Sequence, residues 1–446
     1  MRFEIDNQTL NDLAIFNNGS NQKSVFNIFD KAVTIGGREK FRSIFNNPLT
    51  DAFEIQNRVD TFRYFQNAST ELNIDKTSCD FAEFYLAQSN GSRHFPRMLG
   101  ILQWIANRFY KEHEYYTIQQ GVLNVLKLLD TVSKFTASNN IDILPMALKA
   151  IHLSITRVLD DKDFEIIRYL QQKQKLTSTD ITRADYLFRH LKHDSIKTLL
   201  DIIYQLDVFI SVSKQGELLG FRLPVINTQT QRGLRFEALF HPFIDKPVIN
   251  DIEFDTDRNI CFVTGTNMAG KSTLLKAMGV SVYLSQLGFP VPAAYMETST
   301  FKGLITTINL SDNIQTGHSH FYSEVLRVKH VAQKLNESPE LFVIFDELFR
   351  GTNVKDAYDA SLLIISAFAG LKNTFFAIST HIVEVARDLE NTSNINFKFM
   401  ETSFENEVPA HSYKLKGGIT DERLGLWIVK NEGIVELIDR AINKSL

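Results

Sequence analysis

The stretch FVTGTNMAGKSTLLKAMG, residues 262–279, decides how the rest of the chain is read. An apolar run enters a glycine loop that closes on Gly-Lys-Ser, and a helical pattern opens directly behind it. Gly265-Thr266-Asn267-Met268-Ala269-Gly270-Lys271-Ser272, followed by Thr273, satisfies the spacing G-x-x-x-x-G-K-[ST]. Glycines let backbone N–H groups turn inward around phosphate oxygens, and a helix starting near Lys271 aims its positive end at the same anion. Lys271 is expected to reach the β- and γ-phosphates, and Ser272 to set its hydroxyl on Mg²⁺. The expected ligand is ATP with its magnesium ion.

Such a loop implies a second, acidic strand end. LFVIFDELFRGT (341–352) supplies five apolar residues and then Asp346 and Glu347. Asp346, at the carboxyl end of a buried strand, would hold Mg²⁺ through water. Glu347 is placed to orient and deprotonate the water that attacks ATP. One strand later, FFAISTHIVEV (375–385) ends its apolar run in Ser379-Thr380-His381. Alone, His381 is a surface or helix-start histidine; beside the other two motifs it is favoured as a contact to the γ-phosphate or the attacking water. Gly317-His318-Ser319 precedes a helix whose apolar face begins at Phe321. Such a Gly-x-Ser is usually an N-cap; the alternative is a second anion-binding helix start serving a neighbouring subunit's nucleotide, and spacing leaves both open.

Composition sets the frame. With 446 residues, 44% hydrophobic and 22% charged, the chain is ordinary globular material for two or three domains. Its 48 basic and 52 acidic residues give a net charge of -4, which excludes a generally basic nucleic-acid binder but leaves room for a local basic face. Lys162, Arg168, Lys173, Lys175, Arg183, Arg189, Lys192 and Lys197 cluster, yet acids interleave them as on a solvated helix face. Cys79 and Cys261 lie far apart without metal-ligand spacing, which fits a reduced, cytoplasmic setting. The N-terminus has no signal-peptide pattern, and no uncharged apolar stretch approaches about 18 residues, so no membrane association is expected. LLIISAFAGL (362–371) is expected to be a core helix.

Up to about residue 220 the periodicity is helical. Val122, Val125, Leu126, Leu129 and Val132 form one stripe, and Ile196, Leu199, Leu200, Ile203, Leu206 and Ile210 another, both expected to be core. After KQGELLG (214–220), short apolar runs alternate with helical patterns: NICFVTG, KGLITTINL, LFVIFDE and NTFFAIST. Buried strands spaced by helices indicate a mostly parallel sheet. The expected organisation is a helical region, 1–230, followed by an α/β region, 231–446.

Together, TGTNMAGKST, LFVIFDELFRGT and STHIVEV resemble the ATPase domain of the MutS family of DNA mismatch-repair proteins. LSQLGFPVPA (284–293), HPFI (241–244) and DERLGLWIVKNEGIVELIDRAI (421–442) resemble its flanking and C-terminal segments. DKAVTIGGREKFRSIFNNPLTDAFEIQNRVDTFRYF (30–65) resembles the opening of the family's helical core domain, and LLDIIYQLDVFISVS (199–213) the helix that re-enters the ATPase domain. The resemblance implies an ABC-like P-loop ATPase working as a homodimer through its ATPase domains and C-terminal helices, associated with DNA and a repair-type protein partner. It implies that Ser319 reaches the opposite subunit's γ-phosphate, that Phe243 stacks on adenine, and that Arg350-Gly351-Thr352 belongs to the loop joining the two sites. Leu348-Phe349 stands where the family usually has Ile-Gly, Ala357 replaces a common glycine, and His318 and His320 replace other residues. These departures put communication between the sites in question.

Residue 1 already lies near the start of the core-domain segment, so the resemblance implies a short form without the mismatch-reading domain, and the roughly 130 residues between the segments 30–65 and 199–213 are too few for a full DNA-gripping clamp. That domain carries a Phe-x-Glu; Phe81-Ala82-Glu83 lies in the wrong order and is taken as coincidence. DNA association without mismatch reading is the first expectation. The alternative is an ATP-gated protein-interaction scaffold that binds no DNA.

Overall fold

The computed structural model describes residues 2–16, 23–67, 72–88, 112–229, 231–266, 268–308, 320–405, 408–420, 431 and 433–445. The chain divides into two compact units: Ile28–Asn46 with Asn57–Leu219, and Met1–Asn27, Asn47–Gln56 with Gly220–Leu446.

The first unit is helical. The stripe from Val122 to Val132 is buried along the helix Glu112–Ser138. On the helix His193–Leu218, Ile196, Leu199, Leu200, Ile203 and Leu206 are buried and Ile210 half-buried. The helix Ile35–Phe45 comes so close to it that a Cβ on Gly36 would lie 2.1 Å from the Tyr204 ring. Asp207, 3% exposed, accepts hydrogen bonds from the amides of Val33 (3.0 Å) and Thr34 (2.9 Å) and from the Thr34 hydroxyl (2.7 Å). Those donors satisfy a carboxylate that would be costly to bury alone. Glu83 of the Phe-x-Glu triplet accepts from the Tyr204 hydroxyl at 2.8 Å, which ties it into helix packing.

The second unit is built on two sheets. Its strands are β1 (Val225–Ile226), β2 (Gly233–Leu239), β3 (Asn250–Asp255), β4 (Ile260–Thr264), β5 (Tyr295–Thr298), β6 (Gly303–Thr307), β7 (Leu341–Asp346), β8 (Phe375–Ser379), β9 (Ile395–Glu405) and β10 (Val408–Gly417). The larger sheet has the order β10-β9-β4-β8-β7-β6; all its pairings are parallel except the β9–β10 hairpin. The smaller has the order β1-β5-β2-β3. The expected boundary near residue 230 falls in sequence between β1 and β2, whereas the change of unit is at Gly220.

β4, β6 and β8 are buried at every position, as apolar runs in a parallel sheet covered on both faces must be. The helix Lys271–Gln286 is buried almost all the way round. Gly279 lets it settle onto the sheet, since a Cβ there would lie 3.1 Å from Ile344 of β7. Opposite chemistry governs the helix Val354–Ala369: Phe368 stacks on Phe345 and Phe376 at 5.8 and 4.6 Å, while Leu363 is 70% exposed. The LLIISAFAGL segment is therefore one-sided, because the sheet occupies only one of its faces.

The outer edge of β6 is closed by the start of the chain. Glu4 bridges to Gly303, the Thr9 hydroxyl accepts from the Thr306 amide (2.9 Å), and Asp12 accepts from the Thr306 hydroxyl (2.8 Å) and the Ile308 amide (2.9 Å). Arg327 ties Asp6 to the Thr306 carbonyl. An edge strand covered this way cannot recruit another chain. This is why residues 1–27 belong with the sheet and not with the helices.

Candidate nucleotide site

Strand register assembles the site. Ser379 of β8 is opposite Val263 of β4 on one side and Asp346 of β7 on the other. The carboxyl ends of three neighbouring parallel strands thus stand side by side, where open α/β sheets hold ligands. One delivers the glycine loop, one Asp346 and Glu347, and the third Ser379, Thr380 and His381.

Within the glycine loop, Gly265 takes φ +142°, Met268 +66° and Gly270 +99°. Met268 is 84% exposed, Ala269 is buried and Thr266 half-buried. The helix begins at Lys271 with Gly270 as N-cap and no side-chain cap, leaving its first-turn amides for an incoming anion. Ser272 is exposed and Thr273 half-buried at that start. Asn267 and Ser319 lie outside the described residues.

Lys271 is 5% exposed, and its Nζ donates to the carbonyls of Gly265 (2.8 Å) and Thr266 (3.0 Å). Burial lowers its pKa, while the charges of Glu347 and Asp346 act in the opposite sense. The ammonium thus sits within electrostatic reach of both carboxylates. The Ser379 hydroxyl donates to Asp346 Oδ1 at 2.5 Å, and the Glu347 amide donates to the Ser379 carbonyl and hydroxyl, each at 3.1 Å. Ser379 is the bridge that sequence spacing missed: the only hint was its place at the end of an apolar run.

Glu347 has φ +57° and Phe349 +61°, left-handed conformations that cost roughly 1–2 kcal/mol each without glycine. The Glu347 side chain is 24% exposed, and Arg350 approaches it at 3.7 Å. His381 is exposed just past β8. Phe243 is half-buried; its amide meets His241 Nδ1 at 3.3 Å and the two rings are 5.4 Å apart. Burial, and secondarily the charge of Lys276 on the Lys271 helix, push the His241 pKa down to about 4.

A second residue absent from the sequence reading is Tyr413. A Cβ on Gly270 would lie 3.1 Å from its ring, and its φ is +55°. Asn250 of β3 donates to its carbonyl (3.1 Å), and the register of β9 and β10 shifts between His411 and Leu415. A bulge of this kind re-aims a side chain, here toward the glycine loop.

In the helical unit, Arg168 pairs with Asp160, Lys173 with Asp180, Arg189 with Asp185, and Lys192 with Asp161 and Asp163. Half of the basic cluster is thereby engaged within the chain. Among the described residues no helix is long and apolar enough to cross a membrane.

A glycine loop joining a buried parallel strand to a helix without a side-chain cap, with Asp346 and Glu347 at the end of β7 two strands away, defines an anion-receptive site of an open α/β fold. Comparison with known families is more specific. Residues 8–213 match MutS domain III and residues 261–445 match MutS domain V. The DNA mismatch repair protein MutS of Petrotoga mobilis is 28% identical over 281 residues, covering 61% of this chain and 33% of that protein. The DNA mismatch repair protein MutS of Lactococcus lactis subsp. cremoris is 28% identical over 256 residues, 55% and 30% of the two chains. The MutS protein homolog 4 of Homo sapiens is 28% identical over 236 residues, 50% and 24%. The matched regions span about a third or less of these relatives. The two domain matches together take in most of this chain, which belongs to the MutS family. Domain V is that family's ATPase domain.

Proposed function

We propose that this chain binds and hydrolyses ATP with Mg²⁺ as a homodimer joined through its ATPase units, and that it acts on DNA with a repair-type protein partner in the cytoplasm. The observation that carries the enzyme reading is the common row of strand ends at Val263, Ser379 and Asp346. It gathers a buried Lys271, Asp346 and Glu347 at the mouth of an uncapped helix.

The residues fit the ligand. Backbone amides of the glycine loop and the start of the helix cradle the phosphates, and a Cβ on Gly270 would crowd Tyr413 (3.1 Å) and Met400 (3.3 Å). Asn267 and Thr273 complete the cradle in sequence. Lys271, freed from the Gly265 and Thr266 carbonyls, meets the β- and γ-phosphate oxygens. Ser272 and Asp346 would hold Mg²⁺, which supplies charge neutralisation at the phosphates. Glu347 orients water and takes its proton, and His381 contacts the γ-phosphate side. Phe243 and Tyr413 offer aromatic faces to the base. Ser319 is assigned to the partner subunit's γ-phosphate.

Glu347→Gln tests the enzyme reading: it should retain ATP and hydrolyse it at least ~100-fold more slowly. Turnover equal to the parent would reject the assignment. DNA association is tested by a salt titration of binding, which should show log K falling steeply with log salt. No measurable affinity at low salt would leave the ATP-gated scaffold.

A further inference from the structure

The loop that carries Glu347 is gripped from two sides. On the β8 side, Ser379 accepts the Glu347 amide through both carbonyl and hydroxyl oxygens. On the other side stands the N-terminal part of the helix His320–Glu337. Glu324, one turn into that helix, is 5% exposed and accepts from the Gly351 amide at 3.2 Å, with the Arg350 amide also directed at its carboxylate. His320 Nδ1 lies 3.5 Å from the same carboxylate. Phe321 packs on Phe349, ring centroids 5.7 Å apart, and Phe349 is 2% exposed. The backbones touch as well, since a Cβ on Gly351 would come within 2.6 Å of both His320 Nδ1 and the Phe321 amide nitrogen.

Packing a helix on a loop does not require a carboxylate. Glu324 lines a small cavity with the apolar Ile308, Val328, Phe345 and Leu348 and the polar Thr307 and Arg350. Asp346 and Glu347 line the same cavity. What the buried acid adds is a pair of acceptor oxygens for a loop whose own backbone is strained. Glu347 and Phe349 both sit at positive φ without being glycine, and such conformations persist only where neighbours over-determine them. Released from the helix, the loop would relax and Glu347 would lose its aim.

We propose that Glu324, with the Phe321–Phe349 ring pair, is the positioning element that holds the Glu347 carboxylate in its hydrolytic orientation. This rests on the reading of Glu347 as the general base. In this role Glu324 acts through the loop, by accepting from the Gly351 amide.

The test is a kinetic cycle on the full chain, with ATP affinity measured separately. Glu324→Ala should lower kcat by about 10- to 100-fold, the scale of a displaced catalytic group, and leave KM and ATP affinity unchanged. Glu324→Gln, which keeps an acceptor oxygen for the Gly351 amide, should restore most of the rate. In the Glu347→Gln background, Glu324→Ala should cost nothing further, because there is no base left to aim. An equal loss in both backgrounds, or a Glu324→Gln rate as low as that of Glu324→Ala, overturns positioning while leaving the base assignment standing. Parent-like turnover of Glu347→Gln alone rejects the base and the positioning together. Should Glu324→Ala not fold, Phe321→Leu keeps the apolar volume and loses the ring pair. It should show a smaller fall in kcat that again vanishes with Glu347→Gln; a parent-like kcat for Phe321→Leu counts against the proposal.

Discussion

The loop after β4 and the loop after β7 leave the same edge of the same sheet, and both require backbone at positive φ. The first fills those places with Gly265, Gly270 and the exposed Met268; the second uses Glu347 and the buried Phe349. Glycine makes the phosphate loop permissive, so its shape needs little packing and its amides stay open to a ligand. The carboxylate loop is held by tertiary contacts that outweigh its strain. A left-handed Phe costs roughly 1–2 kcal/mol, whereas truncating a buried Phe to Ala loses roughly 3–5 kcal/mol. One loop is free to receive a ligand, and the other fixes a reacting group.

Phe349 offers the largest expected effect. Phe349→Ala should destabilise the chain by about 3–5 kcal/mol, followed by calorimetry. Phe349→Gly should be less harmful than Phe349→Ala by about 1 kcal/mol, because glycine relieves the left-handed strain. Elsewhere glycine is usually the worse of the two, so the sign alone decides. Equal or greater damage from glycine would mean the loop carries no strain.

The phosphate loop should respond in the mirror sense. At Gly270, φ is +99° and a Cβ would press on Tyr413 at 3.1 Å and Met400 at 3.3 Å. Gly270→Ala should cost about 1–2 kcal/mol of stability and weaken ATP binding by a comparable factor. Met268→Gly, at an exposed side chain with φ +66°, should be neutral or stabilising by up to about 1 kcal/mol. If Gly270→Ala binds ATP as the parent does, the permissive-backbone account of this loop fails.

The two loops also differ in how far they could be read from sequence. The phosphate loop is local: its glycines, lysine and serine sit within eight residues, and backbone geometry follows from residue type. The strands β4, β6, β7 and β8 were likewise legible, since strands buried on both faces are continuous apolar runs. The support of the carboxylate loop is non-local. Ser379 meets Asp346 only through strand register, and Glu324 meets Gly351 across β7. Tyr413 reaches Gly270 because of a bulge in a distant hairpin. β1, two residues long, has no periodicity to detect. The N-terminal segment that closes β6 bonds through Thr9 and Asp12, polar groups that no hydrophobic pattern reveals.

Acid should separate the two sides by sign, with smaller effects than the substitutions above. On the side of the helix that follows the phosphate loop, burial and then the charge of Lys276 hold the His241 pKa at about 4, below its usual value of 6.5. Between those values the unfolded chain binds the extra proton, so this contribution to stability rises with pH and is lost as pH falls from 6.5 toward 4. Allowing for solvent at a half-buried ring, the loss is about 1–2 kcal/mol. Beside the carboxylate loop, burial raises the Glu324 pKa above 4.5, with the Gly351 amide and His320 opposing. A raised folded pKa contributes stability below the unfolded value that disappears as pH climbs through the folded one. His241→Asn should therefore flatten the acid-side loss, and Glu324→Gln should remove the opposing slope. Unfolding midpoints measured from pH 4 to 7 compare the two variants with the parent. Slopes that change in the same direction in both variants would show that the two loops do not titrate oppositely.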